Sequence, residues 1–198
     1  MRDTDLFQLA LGLVPPWMVK TANFDPDKKR LDLEIDFTTG GRFPCPDCDA
    51  TDCPTHDTVM KTWRHLDFFQ HQAFLTARTP RIKCLNCGVR LVAVPWARPG
   101  SGFTLLFEAL AMTLVTHMPV AACARLMGVH DTRLWRIVFH YVEAACKGMD
   151  LADLRRICID ETAAKRGHDY STLFVDIDHR RVVYIADGRD AKTVAEFA

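Results

Sequence analysis

The sequence lacks several features that would place it in a specialised class of protein. No apolar run approaches the ~20 residues that a membrane-spanning helix needs. The N-terminus has acidic Asp3 and Asp5 where a secretion signal carries positive charge, and no small-residue cleavage site follows. There is also no internal repeat and no low-complexity tract. These absences predict a cytoplasmic globular protein of one or two small domains.

The chain also lacks net charge, but its charges are unevenly distributed. The 198 residues include 25 basic and 25 acidic side chains. Residues 1–60 carry six Lys or Arg against eleven Asp or Glu, whereas residues 61–100 carry seven basic residues against Asp67 alone. Zero net charge argues against a general polyanion binder, but a local basic block of this kind can bind phosphate.

The N-terminal third predicts a helix and a hairpin. A helix capped by Asp3 or Thr4 is expected to run through Leu11, before a Pro-Pro pair. The strict alternation of "RLDLEIDF", residues 30–37, predicts a half-buried strand, and "FDPDKK" before it predicts a hairpin turn. A further strand is expected at "HQAFLTAR".

The remainder of the chain changes character twice. "RPGSG", residues 98–102, predicts a linker. Residues 104–147 are dense enough in apolar side chains to predict core helices, and from Arg156 the period becomes that of strands. The expected order is therefore a cysteine-bearing module, a helical module and the opening of a sheet domain, which makes the fold class α+β.

Two Cys-x-x-Cys pairs predict a structural zinc site. "CPDC" and "CLNC" are separated by 35 residues, enough for a hairpin insertion as in zinc ribbons. Each such turn lets two thiolates approach one ion from the same side, and Gly88 lies where the second turn must reverse. Four thiolates leave no open position for catalysis. The predicted zinc ligands are Cys45, Cys48, Cys84 and Cys87.

An alternative ligand set is available within the first part of this block. Cys53 and His56 follow the first pair closely, so Cys45, Cys48, Cys53 and His56 could also bind one ion. That set would leave the second pair without a role, and the four-cysteine site is preferred. The other cysteines, Cys123, Cys146 and Cys158, lie in apolar contexts and are expected to be core residues.

Residues 120–139 have the spacing of a DNA-binding helix-turn-helix. Ala124 is small enough for two helices to cross closely, Gly128 suits a left-handed turn, and Val129 follows as the buried turn residue. Leu134 and Ile137 are expected to hold the second helix from beneath, and Asp131 or Thr132 to cap it. The predicted DNA contacts are Thr132, Arg133 and Arg136 on this helix, with Arg78, Arg81, Lys83 and Arg90 from the basic block.

A carboxylate follows an apolar strand near residue 160. Ile157, Ile159 and Glu161 share one face of the predicted strand, and Cys158 and Asp160 the other. "YSTLFVDID" and "RRVVYIAD" predict two more strands joined by a short reversal at residues 178–180, and a helix begins near Asp190. Three antiparallel strands followed by a helix match the opening of an RNase H-like domain, in which a first-strand Asp helps to hold divalent metals.

Taken together, these motifs resemble the insertion-sequence transposases that have an N-terminal zinc finger, a helix-turn-helix and a DDE catalytic domain. The likeness rests on "CPDC", "CLNCG", "MPVAACARLMGV", "RLWRIVFHYV" and "IDETAAKRGHDYSTLFVDID", in the family's order. The resemblance implies that Asp160 is the first acid of the triad and ligates Mg²⁺ or Mn²⁺. It also implies that Glu161, Asp176 and Asp178 are not triad members. The two remaining acids are expected after Ala198, so the chain resembles the N-terminal portion of such a protein.

The resemblance also implies a division of labour along the chain. The expected modules are an N-terminal helix and hairpin (1–43), a zinc-binding module (44–100), a helix-turn-helix module (101–150) and an incomplete RNase H-like domain (151–198). The first three would bind double-stranded DNA at the terminal inverted repeats of an element, in a homo-oligomer associated with the nucleoid. The complete domain would cleave and join DNA strands. The alternative is a zinc-containing DNA-binding regulator that does not catalyse. His168 is expected near phosphate.

Overall fold

The computed structural model describes residues 2–163 and 169–197. The chain forms two compact units, Met1–Leu134 and Trp135–Ala198, and each is considered separately below. No helix within the described ranges is both long enough and apolar enough to cross a membrane.

The first unit contains one mixed sheet and three helices, followed by the start of a fourth. The sheet has the order β1-β2-β5-β4-β3, and β6 pairs with β5 on a separate branch. The elements are α1 (Asp3–Ala10), β1 (Trp17–Asp25), β2 (Arg30–Phe37), β3 (Arg42–Phe43), β4 (Cys53–Arg64), β5 (Gln72–Cys84), β6 (Gly88–Leu91), α2 (Leu105–Val115), α3 (Val120–Met127) and α4 (Asp131–Lys147).

The N-terminal hairpin has the predicted form. Strands β1 and β2 are antiparallel, and the alternation of β2 buries Leu31, Leu33, Ile35 and Phe37 on one face. The strand expected at "HQAFLTAR" is part of the longer β5. Strand β2 also runs parallel to β5, with Leu33 opposite Leu75, and this pairing was not predicted. The hairpin therefore extends the same sheet that carries the second cysteine pair.

Helix α1 is capped by a different residue from the one predicted. Its N-cap is Arg2, whose backbone N–H donates to Asp5 Oδ2 at 2.9 Å, so neither Asp3 nor Thr4 caps it. Gln8 joins the helix to β1, because its amide donates to the Leu13 carbonyl at 2.6 Å and accepts from the Val19 N–H at 2.7 Å.

The core of the first unit is rich in aromatic rings. Trp17 packs edge-to-face against Trp96 with centroids 4.9 Å apart, and Trp96 packs in the same way against Trp63 at 5.6 Å. Phe37 and Phe43 complete the group at 5.4 Å. Edge-to-face pairs of this kind add to the stability gained from apolar burial. Rings from β1, β2, β3, β4 and the segment after β6 thus form one core.

The segment at residues 98–102, predicted to be a linker, is held by a buried carboxylate. Glu108 of α2 has no solvent exposure, and its carboxylate accepts from Arg98 Nε at 2.9 Å and from the Ser101 hydroxyl at 2.5 Å. Phe103 follows directly and is buried. A charge in such surroundings is stable only when it is paired and hydrogen-bonded. The segment is therefore a fixed part of the first unit, which corrects the linker prediction.

The second unit consists of α4 from Trp135 onward, a small sheet and a short helix. The sheet is antiparallel in the order β7-β8-β9, as the strand periods predicted. Phe174 of β8 is buried and stacks on Phe197 with centroids 4.5 Å apart. The elements are β7 (Ile157–Ala163), β8 (Tyr170–Asp176), β9 (Arg181–Asp187) and α5 (Ala191–Ala195), with Asp190 as the N-cap of α5.

Asp176 stabilises the predicted reversal between β8 and β9. Its buried carboxylate accepts the backbone N–H groups of Asp178 and His179 at 3.1 and 3.2 Å, and lies 2.7 Å from His179 Nδ1. Burial opposes ionisation of this group, but the hydrogen bonds from His179 and Arg181 are stronger and lower the pKa of Asp176. Its polar partners lie in the turn and at the first residue of β9.

Two of the three cysteines expected in the core are exposed. Cys123 of α3 is buried as predicted. Cys146 and Cys158 are exposed, because Cys146 lies in the last turn of α4 and all seven residues of β7 are open to solvent. Apolar neighbours in sequence did not imply burial at these two positions.

Replacing Glu108 with Ala is expected to destabilise the first unit by about 3 kcal/mol, because it removes the anion that compensates a partly buried Arg98. Urea unfolding followed by tryptophan fluorescence measures the change. Glu143→Ala is the matched control, since Glu143 is exposed and forms a surface ion pair with Lys147, and it should change the free energy of unfolding by less than about 0.5 kcal/mol. Equal effects of the two variants would contradict the role given to Glu108.

Candidate metal centre and nucleic-acid interface

The two Cys-x-x-Cys turns meet in space. The Sγ atoms of Cys45, Cys48, Cys84 and Cys87 all lie within 4.8 Å of one another, and those of Cys48 and Cys84 are 3.6 Å apart. Tetrahedral zinc with Zn–S bonds of about 2.3 Å places its sulfurs about 3.8 Å apart. This is the only group of three or more potential metal ligands within the ranges that the structure describes.

Local backbone geometry brings the sulfurs together. The Cys45 N–H donates to the Ala50 carbonyl at 2.9 Å, and the Asp49 N–H donates to the Cys45 carbonyl at 3.0 Å, which closes the first turn. The second turn reverses at Gly88, which has φ of 76° and pairs with Cys84 across the β5–β6 hairpin. A left-handed residue is needed there, as the sequence indicated.

The four thiols differ in acidity because their surroundings differ. Backbone N–H groups of Cys87 and Asn86 lower the pKa of Cys84 to about 6. The neighbouring Cys48, together with burial, raises the pKa of Cys87 to about 12. Four thiolates at these distances repel one another, so full deprotonation requires a cation among them.

The alternative ligand set is not assembled. Cys53 is buried beside the cluster, but its Sγ is directed to the Ala50 carbonyl at 3.4 Å, and burial raises the pKa of its thiol. His56 is half exposed and lies 3.9 Å from the Asp57 carboxylate. The geometry therefore favours the four-cysteine set.

Helices α3 and α4 form the predicted helix-turn-helix. Helix α3 ends at Gly128 in the left-handed conformation, with φ of 63° and ψ of 37°. The Val129 N–H donates back to the Ala124 carbonyl at 3.0 Å. Cys123, Ala124 and Met127 are the buried residues of α3, while Val129 is half-buried rather than fully buried. The turn therefore follows the residue types that the sequence placed there.

Helix α4 presents the predicted contact residues. Leu134 and Ile137 are buried, and Thr132, Arg133 and Arg136 are exposed. The helix begins at Asp131, whose Oδ1 accepts the Thr132 N–H at 2.7 Å, and the His130 ring lies 2.9 Å from the Thr132 hydroxyl.

The two arginines of this face are held differently. The Arg133 guanidinium lies 4.3 Å from the centre of the Phe103 ring. Arg136 has no ion-pair partner among the residues described.

The basic block is largely neutralised by the acidic N-terminal segment. Arg78 binds Asp36 at 2.9 Å, Arg81 binds Asp57 through Nε at 2.6 Å, and Arg90 binds Asp47. These three acids all lie within residues 1–60, so the opposite charge excesses of the two segments pair across the sheet. Sequence reasoning noted both excesses but missed the pairing. Of the four predicted contacts in this block, Lys83 alone lacks an ion pair within the described ranges.

Asp160 lies in the middle of β7, opposite Leu173 of β8, and is exposed. Its Oδ1 accepts the N–H of Glu161 at 2.9 Å. Over the residues described, Asp160 belongs to no group of three potential metal ligands, so these residues do not by themselves form a two-metal site. His168, expected near phosphate, lies outside the described residues.

Three segments match families of known proteins. Residues 41–87 match "zinc-finger of transposase IS204/IS1001/IS1096/IS1165", and residues 92–142 match "Helix-turn-helix domain of transposase family ISL3". Residues 157–198 match the family described as "Transposase". The matches follow the order of the cysteine cluster, the helix-turn-helix and the Asp160 strand. No solved structure matches the chain.

Whole-chain comparisons give similar relatives. The chain is 37% identical over 204 residues to the transposase for insertion sequence element IS1557 of Mycobacterium tuberculosis, a match that covers 100% of this chain and 46% of the relative. It is 27% identical over 156 residues to the transposase for IS1001 of Bordetella parapertussis, covering 77% of this chain and 38% of that protein. The chain thus spans less than half the length of these relatives.

Gly128→Ala is expected to destabilise the first unit by about 1–2 kcal/mol, because an L-residue is strained at φ of 63° and the added Cβ would lie 3.0 Å from Gln72 Nε2. Gly148→Ala is the control, since its added Cβ makes only ordinary contacts, the nearest at 3.6 Å. Urea unfolding measures both, and an unchanged midpoint for Gly128→Ala would refute the turn assignment.

Proposed function

We propose that the chain, whose segments match in order the zinc-finger, helix-turn-helix and transposase families, binds double-stranded DNA at the terminal inverted repeats of an insertion sequence. The observation that carries the proposal is the helix-turn-helix, with its left-handed Gly128 and the exposed polar face of α4. In this arrangement the N-terminal residues of α4 enter the major groove and contact base edges.

The residues on α4 have distinct roles in this proposal. Thr132 and Arg136 are free to meet base edges or phosphates, because both side chains are exposed. Arg133 is already oriented by the Phe103 ring, which reduces the conformational entropy that it loses on binding. Lys83 can contribute phosphate contacts directly. The carboxylate partners of Arg78, Arg81 and Arg90 occupy one side of each guanidinium, so these arginines can contact phosphate only through the other side.

The cysteine cluster supports the interface by binding structural zinc. The four sulfurs have the donor type and the separation that tetrahedral zinc requires, and they leave no position for a substrate. The ion would join the first cysteine turn, which contains Cys45 and Cys48, to the β5–β6 hairpin. It would thereby stabilise the sheet, which contacts the segment before α2 through the bridge between Arg64 and Phe103. Zinc here stabilises structure.

Asp160 is the proposed first acid of the catalytic triad in the complete transposase, where Mg²⁺ or Mn²⁺ would be held by further acids. Its exposure on an open strand leaves the carboxylate accessible to such an ion. DNA cleavage and strand transfer by a homo-oligomer are proposed for the longer protein, whose relatives are more than twice the length of this chain.

The purified chain is expected to contain one zinc ion per molecule, measured by elemental analysis. Cys84→Ser should lose the metal and much of its thermal stability, whereas Cys53→Ser should retain the metal, because Cys53 lies outside the cluster. Zinc affinity should fall as the pH falls, since binding displaces protons from the thiols. Zinc loss from Cys53→Ser with retention in Cys84→Ser would reverse the ligand assignment.

If the Arg136 guanidinium contacts a base, Arg136→Ala is expected to weaken binding of the chain to its preferred duplex by about 1–3 kcal/mol. If it contacts a phosphate, the slope of the logarithm of the binding constant against the logarithm of the salt concentration is expected to decrease in magnitude by about one. Fluorescence anisotropy at several salt concentrations distinguishes the two. Lys20→Ala, which removes a positive charge from β1, is the control and should leave both quantities unchanged. A chain that folds, binds zinc and shows no affinity for any duplex would refute the proposed function.

A further inference from the structure

The turn that joins β4 to β5 contains an aromatic residue in an unusual conformation. Phe68 and His71 form a narrow antiparallel bridge, with the Phe68 N–H donating to the His71 carbonyl at 2.8 Å and the reverse bond at 3.0 Å. Phe69 lies at the tip with φ of 55° and is 87% exposed. Hairpin turns usually place glycine where φ is positive, because a side chain there is strained.

Packing within the chain does not account for Phe69. Among the described residues its one ring contact is with Phe68, at 4.7 Å between centroids, and most of the Phe69 side chain remains in solvent. The base of the turn is firmly supported, because Phe68 packs on Phe7 of α1 at 5.5 Å and His71 packs on Phe24 of β1 at 4.5 Å. A rigid base thus holds an exposed ring at a strained position, a combination that points to a ligand.

The turn lies beside the helix-turn-helix. Gln72, the first residue of β5, places its Nε2 atom 3.0 Å from where a Cβ on Gly128 would lie. Gly128 is three residues from the start of α4, whose first two turns carry the proposed base contacts. At the base of the β4–β5 turn, His65 Nδ1 lies 2.9 Å from the Thr104 hydroxyl that caps α2. The base of the turn that carries Phe69 therefore lies close to the segment that leads into α4.

Two of the acids near the tip are held in ion pairs. Asp67 is bound by the buried Arg64, and Asp25 is bound by Lys28 at 2.7 Å. Lys29, whose carbonyl accepts the Gln72 N–H at 2.9 Å, has no ion-pair partner among the described residues. A phosphate strand that approaches the tip meets two ion-paired acids, the exposed Asp27 and the unpaired Lys29.

We propose that Phe69 is a DNA wedge that inserts between base pairs in the groove next to the one read by α4. Exposed apolar side chains on a rigid support unstack base steps from the minor groove and bend the duplex, while a neighbouring element fixes the register. The ligand class is double-stranded DNA with a flexible pyrimidine–purine step flanking the recognised sequence. This inference rests on the proposed function, and it adds a deformation step that the helix-turn-helix alone does not supply.

Removal of the wedge can be separated from loss of stability. Phe69→Gly relieves the strain at φ of 55° and removes little packing, so the variant should unfold at the same or a higher urea concentration than the wild type. Phe69→Trp keeps a large aromatic ring at the tip. Leu9→Ala is the control, because it shortens a highly exposed apolar side chain at a different place, on α1.

The experiment uses the full chain and the highest-affinity duplex that the wild type selects from a random-sequence library. Adenines flanking the α4 footprint are replaced one at a time with 2-aminopurine, whose fluorescence rises when it unstacks. The wild type, Phe69→Trp and Leu9→Ala should raise the fluorescence at one step, whereas Phe69→Gly should not, and its affinity should fall about tenfold. The bend of the duplex, measured by energy transfer between dyes at its two ends, should also be smaller with Phe69→Gly than with the wild type.

Other results overturn the inference. If Phe69→Gly binds, unstacks and bends the duplex like the wild type, there is no wedge, although the helix-turn-helix proposal stands. If Phe69→Gly instead changes the molecular mass measured by light scattering without changing DNA affinity, the tip contacts a second copy of the chain and the wedge is wrong. If the folded wild type selects no duplex, the proposed function fails, and the wedge fails with it.

Discussion

The arrangement of the first unit depends on four sulfur atoms that lie within 4.8 Å of one another. They join the turn before β4 to the turn between β5 and β6, so the β4–β5 hairpin is closed at its cysteine end. Because neighbouring thiolates repel, full deprotonation of the cluster requires a cation such as the proposed zinc. The opposite end of the same hairpin carries Phe69, and its base lies beside the helix-turn-helix. One hairpin therefore connects the cysteine cluster to the helix-turn-helix.

Electrostatic pairing organises the surface around that hairpin. The acidic excess of residues 1–60 meets the basic excess of residues 61–100 through pairs such as Arg81 with Asp57 and Arg90 with Asp47. Exposed pairs of this kind contribute little stability individually. In the proposed DNA complex, they leave Lys83 and Arg136 as cations without an ion pair among the described residues. Binding by a neutral chain would then depend on the placement of individual cations and not on a general positive field.

The second unit has a different character from the first. Its best-buried charged group, Asp176, stabilises the β8–β9 turn, and Phe174 and Phe197 form a small aromatic core. Strand β7, which carries Asp160, is exposed along its whole length and pairs only with β8. A three-stranded sheet with so little buried area is marginal by itself. Most of the stability of the chain therefore resides in residues 1–134, which also contain the proposed DNA contacts Lys83, Thr132 and Arg133.

Local sequence determined the features that depend on near neighbours. The alternation of β2, the two cysteine turns, the left-handed Gly128 and the three strands after Arg156 follow from residue type and spacing, because turn chemistry and side-chain period act over a few residues. Long-range contacts were decided by the tertiary structure. Two of these contacts join residues that are far apart in sequence, namely the parallel pairing of β2 with β5 and the pairing of the arginine block with distant aspartates. The burial of Glu108 against Arg98 and Ser101, and the exposure of Cys146 and Cys158, depend on which other elements cover these residues. No local pattern records those partners, since each arises only when the sheet and its packing are complete.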